Sequence, residues 1–203
     1  MEWSFIICTD GITNVHFHDT IVKSIFKQNI SNFEIIFATE NMKFSSIKHP
    51  NIITLFCNSI KDAHITFKKN LASRFAKYDN LCILHDYIIL ADNWYNSMCN
   101  FKESWNVCST RILKTDGSRL NDWIVYNHPI YEHSLVDYTL QTSEFHYVPG
   151  LAFCVKRHFI LKYPLDDNLT WGQGEDLEWS NRIKNHWDYK INTGTFLQSL
   201  KQK

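Results

Sequence analysis

Short, continuously apolar runs alternate along the first half of the chain with stretches whose apolar residues recur at helical spacing. Phe5-Ile6-Ile7-Cys8, Glu34-Ile35-Ile36-Phe37-Ala38, Asn51 to Phe56 and Leu81-Cys82-Ile83-Leu84 have the length and β-branched content of strands. The first two read as strands buried on both faces of a parallel sheet. Between the runs, Ile21, Val22, Ile25 and Phe26 predict a helix over His16 to Gln28. Phe67, Leu71, Phe75 and Ala76 predict an amphipathic one over Ile65 to Lys77. The alternation predicts an α/β fold with helices on both faces of the sheet.

The second half is less periodic. Trp94 to Phe101 predicts a helix, Trp105 to Thr110 a strand, and Lys114-Thr115-Asp116-Gly117-Ser118 a turn. Phe145 to Val148 and Leu151 to Val155 flank Pro149-Gly150, a pattern of strand, kink and strand. From Glu175 the chain reads as a helix with an apolar stripe through Trp179, Ile183 and Trp187, and Glu178 and Arg182 are spaced for an exposed ion pair. Tyr189 to Phe196 closes as a strand. In open α/β sheets ligands bind beyond the carboxyl ends of the strands, so Thr9, Asp10, Thr39, Glu40, His85 and Asp86 are expected on one edge.

Composition narrows the picture. A chain of 203 residues suits one domain over 1–203, able to remove ~70% of the unfolded chain's surface from water. Lysine plus arginine equal aspartate plus glutamate at 21 each, which gives no overall attraction to nucleic acid or to an anionic membrane. The six cysteines form no CxxC pair and are expected to be reduced core residues. No apolar run approaches the ~20 residues of a membrane span. A cytoplasmic protein is expected. The chain has no glycine-rich dinucleotide fingerprint after the first strand, no Walker loop, no nucleophile elbow and no HExxH.

The remaining candidate chemistry lies at Trp171-Gly172-Gln173-Gly174-Glu175-Asp176-Leu177-Glu178, where glycines bracket a turn and an acidic pair opens a helix. A first-turn carboxylate is stabilised as an anion by the helix dipole and can accept a proton; equally, such a pair can simply complement the dipole. Taken with the Phe5 strand, Glu34 to Phe37, Lys69-Asn70, Leu84-His85-Asp86-Tyr87 and Pro149-Gly150, this stretch resembles glycosyltransferases of the GT-A fold, family-2-like members above all. The resemblance spans nearly the whole chain.

That resemblance implies an open, mixed, mainly parallel sheet, with a nucleotide-binding half at 1–90 and an acceptor half at 91–203. It also implies transfer of a sugar, with inversion, from a nucleoside diphosphate sugar to a glycan or other hydroxyl acceptor. A UDP-sugar is favoured and a GDP-sugar is possible. Asp176, with Glu175 beside it, stands where the family has its base. Thr9, Asp10, Glu40, Lys69, Asn70, His85 and Asp86 fall at donor positions, and Trp171, Gly172 and Gly174 at acceptor positions. Where the family usually has two aspartates separated by one residue, this chain has His85-Asp86-Tyr87, leaving Asp86 and His85 as ligands for Mn²⁺ or Mg²⁺. The aromatics from Trp123 to Tyr147 offer one or two further acceptor contacts. The departure at His85-Asp86-Tyr87 keeps open a catalytically inactive sugar-nucleotide or glycan-binding domain. A nucleotidyltransferase ranks last, because the first strand lacks a glycine-rich, basic loop.

Overall fold

A computed structural model describes residues 1–59 and 61–201. Strand β1 (Trp3–Cys8) is buried throughout and pairs in parallel with β2 (Phe33–Thr39) on one side and β4 (Asn80–His85) on the other. β3 (Ile52–Phe56) continues the parallel array beyond β2 as a half-exposed edge. On the other flank β10 (Ala152–Lys156) runs antiparallel between β4 and β6 (Val107–Leu113). β11 (Tyr189–Ser199) then lies parallel to β6, and β5 (Ile88–Leu90) is antiparallel at the far edge. The eight-stranded order is β3-β2-β1-β4-β10-β6-β11-β5. A three-stranded antiparallel sheet is built from β7 (Ile124–His128), β8 (Glu132–Leu135) and β9 (His146–Tyr147).

Alternation along β1 divides the core. Trp3, Phe5 and Ile7 pack with Ile21 and Ile25 of helix α1 (His18–Phe26) and with Trp94 and Met98 of α3 (Trp94–Asn100). Ile6 and Cys8 face the opposite way, into a core shared by α2 (Ile65–Phe75), α4 (Arg157–Lys162) and α5 (Glu175–Ile183). The mixed, mainly parallel sheet with helices on both faces is therefore present.

Several local expectations change. The first helix is preceded by a 3-10 turn over Val15–Phe17, and Trp187 lies beyond the end of α5, though still against the same core. β5, β7, β8 and α4 were not predicted. Pro149-Gly150 is where the chain leaves the small sheet and enters the large one. The largest correction concerns α2. Its expected apolar stripe is only part of the contact, because Phe75 is exposed while Thr66, Lys69, Asn70 and Ser73 are buried. Those positions follow i, i+3, i+4, i+7 spacing, so this helix buries a polar stripe beside the apolar residues Ile65 and Ala72.

All six cysteines are free thiols, with Cys99 exposed and the others buried. Among the described residues no helix is long and apolar enough to cross a membrane.

Candidate active site

The parallel register brings three strand ends level: Cys8 of β1 lies opposite Ala38 of β2 and His85 of β4. The residues that follow, Thr9, Asp10, Glu40 and Asp86, line with His85 a cleft of about 440 Å³. Each carboxylate there already has protein partners. Asp10 accepts the backbone N–H groups of Ile12 and Thr13 at 2.7 and 2.9 Å, and the Thr13 hydroxyl as well. Burial pushes its pKa upward, but these hydrogen bonds outweigh burial and hold it below the usual carboxylate range. Glu40 meets the Lys68 ammonium at 2.6 Å, and Lys68 also donates to the Thr9 carbonyl at 3.1 Å, so one buried cation ties the ends of β1 and β2 together.

Asp86 is almost wholly buried, accepting from Asn14 Nδ2 at 2.7 Å with His18 Nε2 3.9 Å from its other oxygen. Burial raises its pKa, yet the polar groups of His18, Thr9 and Asn14 around it bring it below the ordinary value, so it is ionised at neutral pH. His85 differs. Its Nδ1 is 3.2 Å from the Tyr87 hydroxyl, while its Nε2 is buried with no partner. Burial first, then the charge of Lys69, pushes its pKa down to about 3, and the ring is neutral.

A smaller cavity of about 160 Å³ adjoins the first and shares His85, Tyr87 and Trp171 with it. Glu175 and Asp176 line it, together with Tyr147, Pro149 and Gly150. Gly174, at φ +74°, supplies the left-handed residue from which α5 starts, and this places the acidic pair in the first turn. Asp176 Oδ2 accepts the Gly150 N–H at 3.1 Å and Oδ1 accepts the Leu177 N–H at 2.9 Å. Glu175 is buried beside it. Burial, with the charge of Asp176, pushes the Tyr147 phenol up to about 12, and its hydroxyl lies 3.0 Å from His133 Nε2. Trp171 is 65% exposed at the mouth common to both cavities. Glu178 pairs with Arg182 at 2.7 Å on the outer face of α5.

Thr9, Asp10, Glu40, His85, Asp86 and Trp171 thus surround one opening, with Glu175 and Asp176 next to it. Lys69 and Asn70 stand outside the lining of either cavity. Lys69 Nζ donates to the Gly150 carbonyl at 2.7 Å, and Asn70 bonds the backbone of Leu165 and the Asp167 carboxylate. Gly172 and Gly174 shape the turn and do not line either cavity. Lys68, Tyr87 and Lys201 line one or both cavities and were not singled out as site residues from the sequence, whereas Tyr147, in the smaller cavity, is one of the aromatics expected to offer acceptor contacts. Lys201 stacks its ammonium 4.1 Å from the Tyr87 ring centre, a contact between residues far apart in sequence that no local pattern announces.

Among the described residues no three His, Cys, Asp or Glu side chains converge as a closed metal site. An open one is a different matter. His85, whose neutral Nε2 is buried without a partner, and the ionised Asp86 both line the larger cleft, and a carboxylate retains acceptor capacity beyond its present hydrogen bonds. Imidazole and carboxylate oxygen suit Mn²⁺, so the residues fit a cation whose other ligands come from a bound diphosphate.

No protein-family model and no curated protein matches the sequence. Solved structures do. GalNAc-T7 with UDP, GalNAc and Mn²⁺ aligns with a TM-score of 0.71 at 12% identity, covering 100% of this chain and 44% of that one. S. aureus TarS 1-349 in complex with UDP aligns at 0.69 and 10% identity, covering 98% and 60%. The same protein in complex with UDP-GlcNAc aligns at 0.63 and 13%, covering 100% and 59%. These are GT-A-fold glycosyltransferases, and the chain spans 44 to 60% of their length.

Proposed function

Starting from a GT-A-like glycosyltransferase fold, we propose that the protein transfers a sugar from a nucleoside diphosphate sugar to a hydroxyl acceptor with inversion at the anomeric carbon. The observation that carries the reading is the pair of adjoining cavities with a common mouth at His85, Tyr87 and Trp171. One is bordered by strand ends and the other by the Glu175-Asp176 pair. Their contact is where a donor's anomeric carbon and an acceptor oxygen would meet.

In this reading residues 1–90 hold the donor and 91–203 the acceptor. Asp10 and Glu40 receive hydrogen bonds from the nucleoside, UDP being favoured because the neighbours named above bind UDP or UDP-GlcNAc. Asp176, already anchored by two backbone N–H groups, takes the acceptor proton as its oxygen attacks. Trp171 presents an exposed aromatic face on which a sugar ring can stack. Mn²⁺ or Mg²⁺, held by Asp86 and His85, would offset charge on the departing diphosphate. Lys68 and Lys201 add positive potential on the same side. Six free thiols support a reducing, cytoplasmic setting.

Calorimetry with UDP and UDP-sugars, with and without Mn²⁺, tests the donor site, and release of free sugar from the same donors tests turnover. Absence of binding by any nucleoside diphosphate with metal present would remove the proposal. Binding without sugar release would favour the inactive binding domain, which the His85-Asp86-Tyr87 sequence leaves open.

A further inference from the structure

Helix α2 carries a fully buried ammonium that touches neither cavity. Lys69 has no exposed surface, and its Nζ donates to the Gly150 carbonyl at 2.7 Å. On the other side of the same residue, the Gly150 N–H donates to Asp176 Oδ2 at 3.1 Å. Gly150 has no spare room: a Cβ there would lie 3.2 Å from Asp176 Oδ2 and 3.3 Å from Asp176 Cβ. Cation, Gly150 backbone and carboxylate are therefore in series, and the backbone between them is clamped from both ends.

The neighbouring residues of the polar stripe do related work. Thr66 donates to the Leu169 carbonyl at 2.7 Å, and Asn70 holds Leu165 and Asp167. The inward face of α2 grips the loop that leads into α5 and the backbone beside its first turn. Burying an ammonium costs stability unless it is compensated, and a hydrophobic isostere would often be as stable or more so. Burial indeed lowers the pKa of Lys69, with Glu175 and Asp176 among the charges that oppose it. A buried cation kept in this place calls for a use other than stability.

We propose that Lys69 is a positioning residue for the reaction, fixing the Asp176 carboxylate through the Gly150 backbone, and is not a donor ligand. The inference rests on Asp176 being the base. A base displaced by about 1 Å can lose ~10²-fold in rate, so the clamp matters to turnover far more than to folding.

The test uses the full chain. In Lys69→Met, hydrogen exchange at the Gly150 amide, followed by NMR, should quicken at least about tenfold while β1 and β4 amides stay protected. Lys69→Gln, too short to reach the carbonyl, serves if Lys69→Met does not fold. UDP affinity by calorimetry should stay within about twofold, whereas turnover falls roughly 10–100-fold; in an Asp176→Asn background the same change should cost less than about twofold, because the two residues act as one unit. Unchanged Gly150 exchange in a folded variant overturns the proposal. So does about tenfold weaker UDP binding, which would return Lys69 to the donor site, and so does an equal loss of rate in both backgrounds. If the parent transfers no sugar, the assignment of Asp176 as base fails by itself, and the exchange measurement still decides whether Lys69 holds the Gly150–Asp176 bond.

Discussion

Asp176→Asn separates chemistry from scaffolding because both effects can be sized beforehand. The parent carboxylate accepts two backbone N–H groups, from Gly150 and Leu177. An asparagine side chain has one acceptor oxygen, so one of those donors is left facing an NH₂ group. Hydrogen bonds to a charged group are worth about 1.5–3 kcal/mol and the first-turn dipole interaction about 0.3–1 kcal/mol. Part of the first is retained by water at the cavity, so a loss of about 1–3 kcal/mol is expected. For a chain of this size that lowers Tm by about 3–10 °C and leaves the protein folded at 25 °C. Loss of a positioned base should lower turnover ~10²–10⁴-fold, or about 3–5 kcal/mol in the barrier. Tm and initial rates of sugar transfer on the same samples, with UDP affinity as a control, give all three quantities. Glu178→Gln is the matched control: its exposed pair with Arg182 is worth at most ~0.5 kcal/mol. A variant at 176 that melts early but transfers sugar at the parent rate refutes the role of this carboxylate.

Asp86→Ala should abolish any Mn²⁺ enhancement of UDP binding in calorimetry while leaving measurable affinity, since Asp10 and Glu40 remain; an unchanged metal effect would place the cation elsewhere. Gly150→Ala forces a methyl against Asp176 at 3.2 Å, and should lower turnover at least about tenfold with a smaller effect on Tm. Acid lability should come in part from His146, whose Nδ1 accepts the Ser143 N–H at 3.0 Å and whose pKa burial pushes down to about 4. The unfolded chain takes up a proton below about 6.5 that the folded one refuses until about 4, so stability is complete above that window and falls as pH drops through it, by at most about 3 kcal/mol. His146→Asn, whose Oδ1 can replace Nδ1, should flatten this part of a pH-dependent urea titration; an unchanged slope would exclude the residue.

Much of the fold was readable because it is written locally. β1, β2 and β4 are apolar runs too short for anything but strands, and the Glu178–Arg182 pair follows from helical spacing alone. The edge residues Thr9, Asp10, Glu40, His85 and Asp86 followed from strand ends in parallel register. What escaped is non-local or polar. Pro149-Gly150 announced a kink, but nothing in its neighbourhood says that the strands on either side belong to different sheets. On α2 the apolar residues drew the eye, whereas the i, i+3, i+4, i+7 series Thr66, Lys69, Asn70, Ser73 was equally regular and is buried as well. Burying it requires partners some 80 to 100 positions away. Lys68 was likewise passed over beside Lys69, although one residue along a helix turns a side chain by about 100° and sends the two lysines to different sites.

The placement of β10 has a consequence for how the chain comes into being. β4 pairs with β10 along five residues, from Ala152↔Leu84 to Lys156↔Asn80. A ribosome making this protein therefore releases β1, β2, β3 and β4 long before the strand that covers β4 exists. Until residue 156 has emerged, the nascent sheet has a strand with an apolar centre, Leu81 to Leu84, and one open rim, the kind of surface on which neighbouring chains pair by mistake. Residues 1–90 and 91–203 are accordingly not separable folding units: β4 gains its second neighbour only when β10 arrives.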